Sequence, residues 1–303
     1  MAARVADTGG RLQMSADWDN VRSRWESIRQ AVDGAYPAPG DGSSLGKGRV
    51  GLAKNPVAIT GEAGAGKTVL YNALAQAIKT GDGDSTRSPD SEKHRTVFRS
   101  GSRRAQASVV VIPGQASQER ELALSATMGG TASPQGIIHV VCWGHNRTWA
   151  ASGRRAIEQT LRAQNPDFDE ESVRAWHLRK EVEDFRDLCE RITEQRAAKR
   201  LRWMLIAVTK CDLYWDRIDL ARDHYIPGGA VPESEFCTLL RDLADETSIR
   251  LAVLPMSSRL IRHQFLPRLR PRLFQLDDEQ LGILRSHFNS ALGGLLAERG
   301  SEE

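Results

Sequence analysis

Eight consecutive residues carry the strongest chemical signal in the chain. Gly61-Glu62-Ala63-Gly64-Ala65-Gly66-Lys67-Thr68 fits G-x-x-x-x-G-K-[ST]. Glycines let a backbone wrap around a phosphate group so that successive N–H groups point inward. A lysine at the seventh position reaches the β- and γ-phosphates, and a hydroxyl at the eighth is a magnesium ligand. An apolar run, Pro56–Thr60, precedes the loop. A helical pattern over 67–79 follows it, through Val69, Leu70, Ala73, Leu74 and Ile78. The helix so opened turns its positive end toward the anion. Gly61 to Val69 are therefore the candidate polyphosphate residues, with Lys67 also catalytic and Thr68 on the metal.

Two further segments stand at strand ends. Thr209-Lys210-Cys211-Asp212 follows the apolar run 203–208. The run 107–112 passes into Val109-Val110-Val111-Ile112-Pro113-Gly114-Gln115. In this order the three segments resemble the Ras-like (TRAFAC-type) P-loop small GTPases over about 55–298. The V-P-G-Q-like segment is similar to that of bacterial small GTPases of the cell-polarity type. The resemblance implies GTP/GDP as ligand and Mg²⁺ as cofactor. Asp212 would accept the N1–H and N2–H₂ donors of guanine, a pair that adenine lacks. Thr209 and Lys210 would line the base and brace the loop, and Ser257, in Pro255-Met256-Ser257-Ser258, would sit at the last base-contacting turn. Gly114 would donate its N–H to the γ-phosphate, and Gln115 would orient the attacking water.

Val111 departs from the family pattern, because an aspartate there usually helps to hold Mg²⁺ through water. Two consequences stay open. Thr68, phosphate oxygens and waters could hold the ion by themselves, or the protein could sense GTP as a scaffold without hydrolysing it. An ATPase or small-molecule kinase built on the same loop is a third reading. The threonine of the first switch is Thr86 by its distance from Lys67, or Thr96 at the foot of a strand. An arginine supplied in cis would be Arg87, Arg95 or Arg120.

The elements that must position these residues are legible in outline. Strand-like runs at 96–99, 107–112, 136–143, 203–209 and 249–254 alternate with helical patterns at 169–200, 233–246 and 278–298. The short spacing between the runs at 96–99 and 107–112 suggests an antiparallel hairpin. Together they predict an α/β fold, the P-loop three-layer sandwich, with a mostly parallel sheet and extra helices. An apolar stripe of Trp18, Val21, Trp25, Ile28 and Val32 predicts a helix over 15–33, capped by Ser15, that docks on the chain's own domain or on a partner. Residues 36–54, with two prolines and five glycines, read as a linker. The expected organisation is an N-terminal helix and linker at 1–54 and a GTPase domain at 55–303, with a helical insert around 144–200.

Composition narrows the class. The 303 residues include 42 Lys+Arg and 39 Asp+Glu, a net charge of +3, which gives no direct nucleic-acid signature. Arginine supplies 34 of the basic residues and lysine eight, so the lysines inside motifs carry more weight. No apolar run reaches the roughly 18 residues of a membrane span. No lipidation signal is present at either end, and the four cysteines show no metal-ligand spacing. A cytoplasmic protein with a protein effector or regulator is the expectation. The basic segment 259–272 and the insert are candidate partner surfaces, or loops paired within the molecule.

Overall fold

A computed structural model describes residues 16–34, 55–76, 92–100, 103–114, 117–129, 133–194 and 200–297. Six strands form one sheet: β1 (Asn55–Thr60), β2 (Glu92–Ser100), β3 (Arg103–Val111), β4 (Gly136–Val141), β5 (Trp203–Val208) and β6 (Arg250–Pro255). Their spatial order is β2-β3-β1-β4-β5-β6. The five strands from β3 to β6 run parallel, and β2 pairs with β3 in antiparallel register over their full length. Residues 101–102, which join that pair, lie outside the described residues.

The helices are α1 (Trp18–Val32), α2 (Lys67–Gln76), α3 (Gln118–Gly129), α4 (Ala151–Gln164), α5 (Glu170–Glu194), α6 (Ile218–Tyr225), α7 (Glu235–Thr247) and α8 (Asp278–Ala297). Every residue of β4 and β5 is buried, so helices cover both faces of the sheet. Crossover handedness assigns them. From β3 the chain moves one way across the sheet, through α3 to β4, α5 to β5 and α7 to β6. Right-handed connections therefore place α3, α5 and α7 on one face, and α2, which leads the other way, on the opposite face. Packing agrees: Phe185 of α5 stacks on Phe236 of α7, both rings lie beside His139 of β4, and α8 lies against β2, β3 and β6. The direction of travel changes at β1, and ligand crevices in such sheets open at the carboxyl ends of strands flanking that point.

The N-terminal helix belongs to this body. It begins at Trp18 rather than at residue 15, because Asp17, not Ser15, caps it by accepting the Asn20 N–H at 3.0 Å. Trp25, Ile28, Ala31 and Val32 are buried, and the helix packs on α8 and β6. Arg22 donates to the Ile226 carbonyl at 2.8 Å, Arg29 pairs with Asp219, and Gln280 donates to the Val32 carbonyl at 3.1 Å. Ser15 and the linker 36–54 lie outside the described residues.

The insert is ordered around a small core of its own. Ile157, Leu161, Phe168 and Val173 enclose Phe265 and Leu266, which come from the basic segment. Arg268 stacks on Phe168, and Arg272 pairs with Glu170 and donates to the Leu213 carbonyl at 2.6 Å. These arginines of the basic segment are thus paired within the molecule. Among the described residues, no helix is long and apolar enough to cross a membrane.

Trp25 is fully buried between α1 and the body. Trp25→Ala should lower the unfolding free energy by about 3–5 kcal/mol, the usual cost of deleting a buried aromatic. Urea denaturation reads this directly; a loss below about 1 kcal/mol would mean that α1 does not contribute to the folded core.

Candidate functional site

The loop between β1 and α2 turns on glycine geometry. Gly61, Gly64 and Gly66 have φ of 130°, 75° and 109°, values that side chains oppose. Space is also limiting at the first two. A Cβ on Gly61 would lie 2.2 Å from the Val140 carbonyl oxygen, and one on Gly64 would lie 2.2 Å from that of Arg147. Lys67 folds back over the loop it follows, its Nζ donating to the carbonyls of Gly61 at 2.7 Å and Glu62 at 3.0 Å. Burial pulls its ammonium down to about 8, against the opposing pull of Asp184 and Glu62. Thr68 and Val69, half-buried, complete the first turn of α2, where N–H groups lack helical partners. Such a cradle of N–H groups beside an ammonium can hold an anion.

The loop after β5 is tied to this cradle across the end of β4. Thr209 donates its hydroxyl to the Ala65 carbonyl at 2.6 Å and to that of Val141 at 3.0 Å. Lys210, at a left-handed φ of 55°, sends its Nζ to the carbonyls of Gly64 and His145, each at 2.6 Å. A 3₁₀ turn, Cys211–Leu213, then carries Asp212, which is buried and accepts the hydroxyl of the buried Ser257. Burial pushes the Asp212 carboxyl up to about 6, opposed by the Ser257 bond. Gly61–Thr68, Thr209, Lys210, Asp212 and Ser257 thus converge at the carboxyl ends of β1, β5 and β6.

The end of β3 reaches the same place. Val111 is buried, and the Ile112 N–H donates to Ile59 at 2.9 Å. Gly114 rests on the cradle: a Cβ there would lie 2.2 Å from Lys67 Nζ and 2.7 Å from the Ala63 nitrogen. Gln115, Thr86 and Arg87 lie outside the described residues. Thr96 is not at the foot of its strand as expected. The strand begins at Glu92, opposite Val111, and Thr96 pairs with Ala107. Four residues of strand, about 13 Å, separate it from the β3 end. Arg95 pairs with Ser108 and is likewise set back.

Sequence reasoning missed Asn146, Arg147, Glu181 and Asp184. Residues 145–147, assigned to the insert, line the cradle: Asn146 donates Nδ2 to the Ala63 carbonyl at 3.1 Å and the Arg147 N–H donates to Gly64 at 3.2 Å. Glu181 of α5 anchors the turn that leads there. Its buried carboxylate accepts the Cys142 and Gly144 N–H groups, at 3.0 and 3.3 Å, and the Tyr225 hydroxyl at 2.6 Å. Arg120 of α3, one of the three candidate cis arginines, forms a largely buried ion pair with Asp184 of α5, close enough to Glu62 and Lys67 to act on both. No local periodicity marks these residues, because their partners lie tens of positions away. An acidic residue on the apolar stripe side of a helix, as Glu181 and Asp184 both are, is the one signal that was available.

Among the described residues no group of three or more His, Cys, Asp or Glu side chains could hold a metal ion. No family model matches this sequence, and no curated protein matches it.

Gly61→Ala should destabilise the protein well beyond Gly34→Ala. Both positions have left-handed φ, a strain of about 1–2 kcal/mol for alanine. Only Gly61 adds a backbone clash, since nothing lies within 4 Å of a Cβ at Gly34. Thermal melts of the two variants compare them; equal losses would contradict the packing of this loop on β4.

Proposed function

We propose that this chain is a guanine-nucleotide-binding protein that hydrolyses GTP to GDP and phosphate and acts as a nucleotide-dependent switch toward a protein partner. One observation carries the reading. Lys210 and Thr209 bond to the backbone of the 61–66 loop, while Asp212, two residues on, presents a buried carboxylate held by Ser257. A base-reading carboxylate and a polyphosphate cradle, built as one unit, are what a guanine nucleotide requires.

In this reading the N–H groups of 63–69 and the Lys67 ammonium hold the phosphates. Gly114, free of a side chain, lets its N–H approach the terminal one, and Gln115 orients water toward it. The buried Asp212 carboxylate accepts two guanine donors at once, whereas adenine would offer it an acceptor. Thr68 would hold Mg²⁺ with phosphate oxygens and waters, the ion neutralising phosphate charge. Recognition and positioning fall to the chain itself. The segments flanking the cradle would order with GTP and relax after hydrolysis.

Val111 favours a second reading. It is apolar and buried where the GTPase pattern has a carboxylate, which suits a GTP-sensing scaffold that does not turn over. Single-turnover hydrolysis by wild type and Gln115→Ala separates the two. A switch enzyme gives slow turnover that the variant loses; no turnover above background, even with a partner present, leaves the scaffold.

Competition between GTP and ATP tests the base. Each charge-assisted bond is worth about 1.5–3 kcal/mol, so Asp212→Ala should weaken GTP by about 100-fold or more and abolish its advantage over ATP. Preference for ATP in wild type, or retained GTP preference in the variant, removes the guanine claim.

Affinity should also depend on pH in a definite sense. Guanine needs ionised Asp212, whose carboxyl is pushed up to about 6 by burial, so affinity should fall as pH drops through 6. Phosphate needs protonated Lys67, which lies near 8, so above pH 8 binding should take up a proton. Calorimetry in buffers of different ionisation enthalpy measures both; a flat profile from pH 5 to 9 would exclude these two groups from the contact.

A further inference from the structure

Arg120 is the third residue of α3 and lies six positions beyond Gly114, whose backbone rests on Lys67. Its guanidinium does not face solvent. It turns inward to Oδ1 of Asp184 on α5, with 13% of the arginine side chain and 2% of the aspartate exposed. The second carboxylate oxygen, Oδ2, is buried and has no hydrogen-bond partner among the described residues. A buried ion pair built for stability normally satisfies both oxygens, since an uncompensated lone pair in a dry site is costly. Here the pair is half-made.

Its neighbours are the groups of the cradle. Glu62, Lys67, Arg120 and Asp184 act on one another electrostatically, and Arg120 and Lys67 also act together on the buried His139. Two cations and two carboxylates, Lys67 and Asp184 buried and Glu62 and Arg120 half-buried, are therefore gathered at the end of β1. Lys67 is held there by carbonyls alone, and Arg120 by one carboxylate oxygen. An arriving anion with more charge and more oxygens competes well for a guanidinium bound in this way, because Arg binds phosphate through two parallel bonds.

We propose that Arg120 engages the terminal phosphate of a bound nucleoside triphosphate and that Asp184 holds it in reserve while the site is empty. This rests on the nucleotide reading above and goes further, naming a residue that distinguishes triphosphate from diphosphate and a carboxylate that opposes it. It also locates, within α3, positive charge for the terminal phosphate in a chain whose β3 end carries valine.

The two halves of the pair then have opposite effects. A purely structural pair is damaged in the same sense from either side. A reserve pair is weakened functionally by losing the arginine and strengthened by losing the aspartate charge. Fluorescent GTP and GDP analogues, titrated into full-length wild type, Arg120→Ala, Asp184→Asn and the double variant, read this as the ratio of GTP to GDP affinity. Arg120→Ala should lower that ratio by about tenfold, the loss of one charge-assisted contact, and Arg120→Lys should restore part of it. Asp184→Asn should raise the ratio, and the double variant should match Arg120→Ala. If the two single variants move both nucleotides by the same factor, or if Asp184→Asn lowers the ratio, Arg120 is not a phosphate ligand. The Asp184→Asn result decides by its sign even if Arg120→Ala does not fold. Wild type that binds neither nucleotide would overturn the nucleotide reading and this one together; wild type that binds both, with an unchanged ratio in the variants, overturns only this one.

Discussion

The ammonium of Lys210 is the contact on which the rest of the site depends. It bonds to two carbonyl oxygens from separate parts of the chain, Gly64 after β1 and His145 after β4, while itself following β5. Three strand ends are thereby joined at one half-buried cation. A lysine there is expensive to desolvate, and burial lowers its pKa. Both carbonyls have to stay in place to compensate it. Thr209 repeats the link one residue earlier, and the left-handed turn at Lys210 sets the direction in which Asp212 leaves. A loop with three glycines at positive φ carries a large conformational entropy. Fastening it from β5 restricts that freedom without filling the space inside it.

Burial also concentrates charge at this end of the sheet. Lys67 and Lys210 are pulled toward neutrality, and Glu62, Asp184 and Asp212 are pushed toward it. Oppositely shifted groups gathered in one crevice are characteristic of sites that bind or transform a charged ligand. A polyanion entering the cradle would restore the lysines and compete with the carboxylates. The Arg120–Asp184 pair, with one carboxylate oxygen unpartnered among the described residues, belongs to the same cluster. Glu181 plays the opposite role. Its oxygens collect the Cys142 and Gly144 amides and the Tyr225 hydroxyl, which fixes the turn that delivers Asn146 and Arg147 to the loop.

What could be read in advance followed from how local each signal was. The 61–68 loop announced itself because its glycines and its Lys-Thr pair answer a local backbone requirement. The strands β4 and β5 were visible as apolar runs because both their faces are covered, and α5 was visible through the stripe of Leu178, Val182, Phe185, Leu188 and Ile192. The start of α1, capped by Asp17 rather than Ser15, differs from expectation by a few residues, which is the reach of capping signals. Strand β2 begins earlier than its apolar residues suggest, because its register with β3 is set by the partner strand rather than by its own pattern. Asn146, Glu181 and Asp184 were not visible, and nothing local chose Arg120 from the three candidate arginines, since each takes its meaning from a partner on another element. Composition offered no help here: a net charge of +3 averages away a local cluster of two cations and two anions.

Chromatography of the nucleotide released by heat from freshly purified protein tests the central claim most directly. Elution of GDP or GTP, with retention of added GTP by the emptied protein, is the predicted result. Elution of adenine nucleotide, or an eluate without guanine nucleotide from a protein that also fails to retain added GTP, would contradict it.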